Sequence, residues 1–316
     1  MVEDTLKQID VDHIDRNPEN PRIVFRPGEL AQLTDSIQRY GVRVPLSVYK
    51  EGRRYVLIDG ERRWRCAIKL NLKTVPAIVQ AKPERLNNLL LMFNIHALRE
   101  QWDLLTIALK LPEVQALLRE REGRDPTERA LASETGLAQG VIRRCKMLMA
   151  LPKEHQQRIL TELRKPKPQQ QFTEDFYIEM ERALTTVERA MPKVVSKFGK
   201  EAIRQTLIEK YKQGTISNRV DFRQIAKIAR AENVSADSTA AEQSLQKLFT
   251  RDNTYSIDEA YSDSVAGAYG ERDLLTKIGG LATQLQNLDV SAVDEEIREA
   301  LELLETEVQK ILSAAP

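Results

Sequence analysis

The sequence predicts an α+β N-terminal domain, followed by an all-α region that holds a helix-turn-helix and by a helical C-terminal region. Three observations carry this. Strand and helix signals alternate through about residue 85 and then cease. From Glu84 onward, apolar residues recur almost wholly at helical spacing. Within that stretch, residues 127–149 read TERALASETGLAQGVIRRCKMLM, two short helical runs parted by a glycine. Aromatic residues make up only 5% of the chain, which favours helices packed on aliphatic side chains over an aromatic-rich β-sandwich. At 316 residues the chain exceeds one average domain, and the expected divisions are 1–100, 101–232 and 233–316.

The elements follow in order. Ile9, Val11 and Ile14 open the chain ahead of the turn-forming pairs Asn17-Pro18 and Asn20-Pro21. Leu30, Leu33, Ile37 and Tyr40 then fall at helical spacing, and Gly41 ends that helix. Residues 44–49 form a short strand, Glu51 and Gly52 a turn, and residues 55–58 pair back as another strand. Residues 61–70 read as a helix and 75–79 as a further strand. In the helical part, breaks fall near residues 121–123 and in RKPKPQQQF, residues 164–172. Helices resume from about 174 to 232, and the polar stretches 233–244 and 250–270 read as loops flanking a short helix. At the C-terminus, Leu274, Ile278, Leu281, Leu285 and Leu288 step by 4 and 3, as do Ile297, Leu301, Leu304, Val308 and Ile311. Asp289 and Ser291 between them are natural helix-start residues. Each series is short, so a helical hairpin and an intermolecular coiled coil both fit.

Composition removes several function classes. Net charge is +1, from 48 basic and 47 acidic residues, so any affinity for nucleic acid must come from a local patch. Cys66 and Cys145 lie in separate segments and His13, His96 and His155 are scattered, which gives neither a disulfide framework nor a zinc set. The start, MVEDTLKQIDVDHI, does not have the pattern of a signal peptide, and the apolar run 89–93 is too short to span a bilayer. The expected compartment is a reducing cytoplasm, with no membrane partner.

The most informative stretch is DGERRWRCA, residues 59–67, which follows a strand and opens a helix. A glycine at such a junction permits close backbone approach, and the helix start offers free N–H groups to an anion. Arg62, Arg63 and Arg65 add charge-assisted donors suited to phosphate. On pattern alone, a solvated basic turn opening an ordinary helix fits as well.

Context adds to this. Upstream stand NPENPR, residues 17–22, and GVRVPL, residues 41–46; downstream stands LKTVPAIV, residues 72–79. Over roughly residues 8–155 this order resembles the ParB-like family, whose N-terminal domain shares its fold with sulfiredoxin. The resemblance implies a ParB/sulfiredoxin-like domain that binds CTP with a divalent cation, Mg2+. Gly60, Glu61, Arg62, Arg63 and Arg65 would then cradle the phosphates, with Arg22 near the same pocket and the turn after Gly41 near the base. It also implies that nucleotide closes two subunits into a clamp around DNA, and that a ParA-type ATPase is a partner.

One box departs from the family pattern. Where the family reads Glu-Asn-x-x-Arg and uses the acid and the asparagine for the metal, this chain reads FNIHALRE, residues 93–100. Asn94 is present as a nucleotide and metal residue, but Phe93 stands at the acid position and Arg99 comes two residues late. Hard divalent cations want oxygen ligands, and phenylalanine supplies none. Glu100 substitutes only if the loop bends differently. The expectation is nucleotide binding with, at most, weak CTP hydrolysis.

In residues 127–149, Ala132, Gly136 and Ile142 match the helix-turn-helix spacing: a small residue where helices cross, a glycine at the turn, a branched residue in the core. Any helical hairpin with a glycine turn shares that pattern, but the segment also falls where ParB-like proteins place theirs. Its second helix, from Ala138 or Gln139, would enter the major groove of double-stranded DNA. Gln139, Arg143 and Arg144 are candidates for base edges or nearby phosphates, since glutamine suits adenine and arginine suits guanine. Lys146 is better placed for phosphate, and Cys145 faces the helix pack or its rim. The basic segment KYKQGTISNR, residues 210–219, reads as a solvated loop or a second phosphate contact.

The leading expectation is a CTP-switched, sequence-specific DNA-binding protein of plasmid, chromosome or phage partition, nucleoid- or plasmid-associated. A homodimer through residues 272–313 follows from the two leucine series. One alternative is a transcriptional regulator with a relic nucleotide pocket. Another is a ParB-like nuclease using Asp59 or Glu61 as base, against which stands the lack of an acid cluster for a two-metal site.

Overall fold

A computed structural model of the chain describes residues 5–97, 103–290 and 293–314. They form two compact units, Met1–Ala183 and Leu184–Pro316.

Unit 1 begins with a five-stranded mixed sheet in the order β1-β5-β3-β4-β2, built from β1 (Thr5–Asp10), β2 (Ile14–Asp15), β3 (Leu46–Glu51), β4 (Arg54–Asp59) and β5 (Thr74–Gln80). β1 runs antiparallel to β5, and β5 parallel to β3. β3 runs antiparallel to β4, and β4 parallel to β2. One face buries Ile9, Val11, Ile14, Leu46, Val48, Leu57, Val75 and Ala77 against Ala67. Trp64 packs on the edge of the same cluster. Ala67 and Trp64 belong to α2 (Glu61–Lys69), which pairs with α1 (Pro27–Tyr40). The expected α+β domain is therefore present, with strands and helices within a few residues of the predicted bounds.

Helices follow: α3 (Arg85–Ala97), α4 (Leu104–Glu122), α5 (Glu128–Thr135), α6 (Gln139–Met149) and α7 (Lys153–Leu163). Leu105, Ala108, Leu111, Val114 and Leu118 give α4 a continuous apolar face, and α6 packs on it. α8 (Glu174–Ala190) leads into unit 2 after the RKPKPQQQF break, which holds only a short 3-10 turn.

Unit 2 holds α9 (Pro192–Phe198), α10 (Lys200–Lys212), α11 (Phe222–Ile228), α12 (Ser238–Phe249), α13 (Ile257–Ser262), α14 (Ala266–Gln286) and α15 (Glu295–Ala314). Here the loop expectations need correction. Residues 233–244 and 250–270 are not loops around a short helix: α12 starts at Ser238, and α13 and the start of α14 lie in the second stretch. Caps explain the difference. The Asp237 carboxylate accepts from the Thr239 N–H at 2.8 Å, and Ser256 with Glu259 completes a reciprocal capping box on α13. The buried face of α12 also includes Ala241 and Ser244, small residues that polarity counts overlook.

Residues 212–219 are mostly exposed, as a solvated loop would be, but Lys210 at the end of α10 is not. Its ammonium is buried and donates to Asn253 O at 3.0 Å, Asn253 Oδ1 at 2.6 Å and Tyr255 O at 2.7 Å, which ties the loop between α12 and α13 to α10. Burial holds its pKa below the usual lysine value. α15 starts at Glu295, with Asp294 accepting from the Ile297 N–H at 2.9 Å, so Asp289 does not open it. Ser291 lies outside the described residues. The leucine series of α14 and α15 are largely exposed, with Leu274 at 58% and Ile311 at 66%.

Candidate functional site

The first site grows from the β4–α2 junction. Gly60 caps α2 with φ 100 and ψ 19, in the left-handed region where a side chain is strained. A Cβ there would stand 2.5 Å from Leu46 Cδ2 of β3, so glycine is needed for space as well as conformation. The chain can therefore turn directly from strand to helix, with α2's first turn over a cavity of about 210 Å³. Asn20, Arg22, Phe25, Gly60, Glu61 and Arg62 are among its lining residues.

The arginines of this stretch divide by what they touch. Arg63 donates to Val44 O at 2.6 Å, Pro45 O at 2.7 Å and Asp59 Oδ2 at 2.9 Å, so it fixes the GVRVP turn to the junction. Arg65 donates twice to Glu61 Oε1, at 2.9 and 2.6 Å, and lies 4.1 Å over the Phe25 ring. Glu61 in turn accepts from Asn20 Nδ2 at 2.7 Å. Arg22 and Arg62 differ: they share the Glu29 carboxylate, at 3.4 and 3.7 Å, with Arg26, which takes it at 3.2 Å. Three guanidinium groups thus share one carboxylate; Asp103 pairs directly with Arg26, at 2.5 Å, and acts on Arg22 only through space. Arg22 is buried, and burial, then the Arg62 charge, draws its pKa down. A buried cation short of negative charge beside a cavity is an arrangement that a phosphate completes.

Not every expected residue joins this cavity. Gly41 caps α1 with φ 70 and is exposed, outside the lining. Asn94 sits elsewhere: its Nδ2 donates to Leu90 O at 2.9 Å and Glu134 O at 3.3 Å, against the end of α5. Phe93 beside it is fully buried. Arg99 and Glu100 lie outside the described residues. Among the described residues no group of three His, Cys, Asp or Glu is placed to hold a metal. Among the described residues, then, the donor set near the cavity does not fit a divalent cation: Asp59 is paired with Arg63, Glu61 is bonded to Asn20 and Arg65, and Asn94 faces α5. Sequence reasoning missed Phe25, Arg26 and Glu29. The close spacing of Arg26 and Glu29 across Pro27 at the start of α1 was the available signal.

The second site is the turn between α5 and α6. Thr127 caps α5 by accepting from the Ala130 N–H at 3.1 Å, and Gly136 takes φ 70 before α6. A Cβ at Gly136 would lie 2.4 Å from Asn94 Oδ1, so the turn is seated on α3. Leu131, Leu137, Ile142, Cys145 and Leu148 are buried, which places Cys145 in the helix pack and raises its thiol to about 12 through burial. Gln139, Arg143 and Lys146 are on the exposed face. Arg143 and Lys146 share Glu128, at 3.0 and 2.9 Å, and the Lys146 hydrogen bond, then that of Arg143, holds this carboxyl below its usual range. Arg144 is turned to α8 and pairs with Asp175 at 2.6 Å.

The first turn of α8 holds this region from the other side. Glu174, next to Asp175, accepts from the Leu105 N–H at 2.6 Å at the start of α4, and burial pushes its carboxyl up to about 7. The native state then keeps this proton where the unfolded chain, near 4.5, has lost it, so its contribution falls as pH rises from about 4.5 to 7.

The family model described as "ParB N-terminal domain" matches residues 1–95. Stage 0 sporulation protein J of Bacillus subtilis (strain 168) is 33% identical over 160 residues, which are 50% of this chain and 54% of that protein. Nucleoid occlusion protein of Bacillus pumilus is 30% identical over 162 residues, 50% of this chain and 53% of that one. Chromosome-partitioning protein ParB of Myxococcus xanthus is 41% identical over 73 residues, 23% of this chain and 25% of that one. The chain thus spans about half or less of the length of these curated relatives. Among solved structures, C-terminally truncated ParB from Caulobacter crescentus complexed with CTP-gamma-S is 29% identical, covering 50% of this chain and 85% of that one with a TM-score of 0.29.

Glu174→Gln keeps the acceptor for Leu105 and removes the titration. It is expected to leave stability unchanged near pH 4 and to raise it by about 3 kcal/mol near pH 8, measured by urea unfolding at both values.

Proposed function

We propose, for a ParB-like chain whose residues 1–95 match the ParB N-terminal domain, a sequence-specific DNA-binding protein of DNA partition whose Gly60 cavity binds CTP. The observation that carries the nucleotide reading is the unbalanced charge at Glu29, one carboxylate shared by Arg22, Arg26 and Arg62. Arg62 and Arg22 donate to phosphate oxygens, while Gly60 lets the backbone approach them. Arg63 and Arg65 act as positioning residues, through the Val44 and Pro45 carbonyls and through Glu61. CTP rather than another nucleotide comes from the family resemblance of residues 60–65, as do the localisation at nucleoid or plasmid and a ParA-type ATPase partner. The donor set supports no step through Mg2+, so the site is a sensor with at most weak hydrolysis.

On the DNA side, α6 enters the major groove with Gln139 and Arg143 toward base edges and Lys146 toward phosphate. Arg144 supports α6 through Asp175 rather than reaching DNA. Glu128 neutralises Arg143 and Lys146 in the free protein and must release them to phosphate or base. Residues 272–313 join two copies: the exposed leucine series of α14 and α15 are apolar seams that a second chain covers.

Isothermal calorimetry with CTP, ATP, GTP and UTP tests the cavity. Selective CTP binding, lowered about tenfold or more by Arg62→Ala, is expected; equal binding of all four, or none, defeats the reading. On duplex DNA, Arg143→Ala should cost about 1–3 kcal/mol and relax one site position. Glu128→Gln should instead tighten binding several-fold at low salt, because an acid beside the phosphates is removed; weaker binding would show that Glu128 orients the reader. Truncation after residue 270 should yield a monomer in analytical ultracentrifugation, and a dimer would remove the role given to α14 and α15.

A further inference from the structure

Unit 2 repeats the local geometry of the α5–α6 turn. In the first turn, Gly136 is left-handed (φ 70, ψ 7), α6 starts three residues on at Gln139, and Ile142, Cys145 and Leu148 are buried. In unit 2, α11 continues into a 3-10 turn at Ala231–Val234, and Ser235 is left-handed (φ 55, ψ 27). α12 then starts three residues on at Ser238, and Ala241 and Ser244 are buried at the positions of Ile142 and Cys145, while Leu248 rather than the exposed Lys247 continues the buried face. Ser235 is one of few non-glycine residues with positive φ among those described, and such a residue is uncommon enough to need support. It has that support in the Ser235 N–H to Glu232 O bond at 3.2 Å and the Ala236 N–H to Ala231 O bond at 3.1 Å.

The outer face of α12 is polar. Thr239 and Gln243 are exposed, with Glu242 and Gln246 half-buried beside them. A groove of about 530 Å³ borders the start of this face and is lined by Ser238 and Glu242 together with Arg189, Lys193 and Arg230. These three cations are exposed and make no ion pair among the described residues. Lys197, one turn beyond Lys193 on α9, donates to Gln246 Oε1 at 2.5 Å, so the basic side of α9 lies directly against α12. Glu232 and Glu242 are the acids of the groove, and Glu242 accepts from Gln246 Nε2 at 3.0 Å. A glutamate on a reading face is compatible with DNA, since it accepts from the cytosine amino group. A polar helix face with unpaired cations at its side is the division of labour of a duplex reader, in which base contacts specify and phosphate contacts position. An acidic protein partner would call for a large apolar anchor on the same face, and the exposed face of α12 has none.

We infer that α11, the turn at Ala231–Val234 and α12 form a second reader of double-stranded DNA, in which Thr239 and Gln243 face base edges and Arg189, Lys193 and Arg230 hold the backbone. This rests on the reading of the chain as a DNA-binding protein, and the test separates the two. Duplexes selected from a random pool by the full-length protein are footprinted, and their binding is followed by fluorescence anisotropy across a salt series. The variants are Arg143→Ala, the pair Thr239→Ala with Gln243→Ala, and the triple Arg189→Ala, Lys193→Ala, Arg230→Ala. All the residues of the pair and the triple are exposed, and unchanged thermal melts confirm that their folds are kept. The triple is expected to weaken every duplex by about tenfold or more and to reduce the slope of log K against log salt by about 2.7, three phosphates' worth. The pair is expected to change sequence preference in a part of the footprint that Arg143→Ala leaves alone. Wild-type affinity, slope and footprint in both the triple and the pair, with loss in Arg143→Ala, would overturn the second reader and leave the first. Failure of the wild-type protein to bind any duplex would overturn both. A triple that keeps DNA affinity but loses binding to polyglutamate would assign the groove to an acidic protein and also overturn the inference.

Discussion

No side chain fits at residue 60 unless Leu46 moves, and much of the N-terminal domain is arranged around that restriction. The left-handed glycine lets the chain leave β4 and enter α2 without an intervening loop. α2 is thereby pressed onto β3, Ala67 reaches the sheet core, and the first turn carries Glu61, Arg62 and Arg63 to the same cavity. The neighbouring hydrogen bonds hold this junction from outside. Arg63 clasps the carbonyls of Val44 and Pro45 just ahead of Leu46, so the strand that crowds Gly60 is itself held by the helix that Gly60 starts.

Charge in this region is arranged with less closure than geometry. Glu61 and Asp59 are each matched by a close arginine, but Glu29 is stretched over three. Burial makes the shortage matter, because solvent cannot screen a guanidinium that is 8% exposed, as Arg22 is. At the α5–α6 turn the situation is reversed: Arg143 and Lys146 lie at the surface with an acid between them, where solvent weakens each pair.

Much of this was legible in the sequence, for identifiable reasons. Gly41, Gly60 and Gly136 each stand where the chain must turn with positive φ, and a glycine between periodic segments announces that. The leucine series of α14 and α15 were equally readable, since amphipathic spacing is a local property. What was not legible is tertiary. Arg62, Arg63 and Arg65 look alike in a string, and only the positions of Val44, Glu29 and Glu61 give them different work. Asn94 matched a motif, yet its amide finds the carbonyl of Glu134, forty residues away. The sequence of the polar helix α12 resembles a loop because part of its buried face is Ala241 and Ser244, residues that carry little hydrophobic signal.

The contact between Asn94 and Gly136 has a consequence for how sequences like this one can drift. The asparagine oxygen occupies the volume that a side chain at 136 would need, and the left-handed backbone there already disfavours one. A lineage that enlarges residue 136 first must swing the Asn94 amide aside, and with it the donor to Glu134, while bearing a strained left-handed backbone. Shrinking residue 94 first is open, but it leaves the Glu134 carbonyl without its side-chain donor. The two positions are therefore bound to a shared history, since a change at either alters what the other can hold.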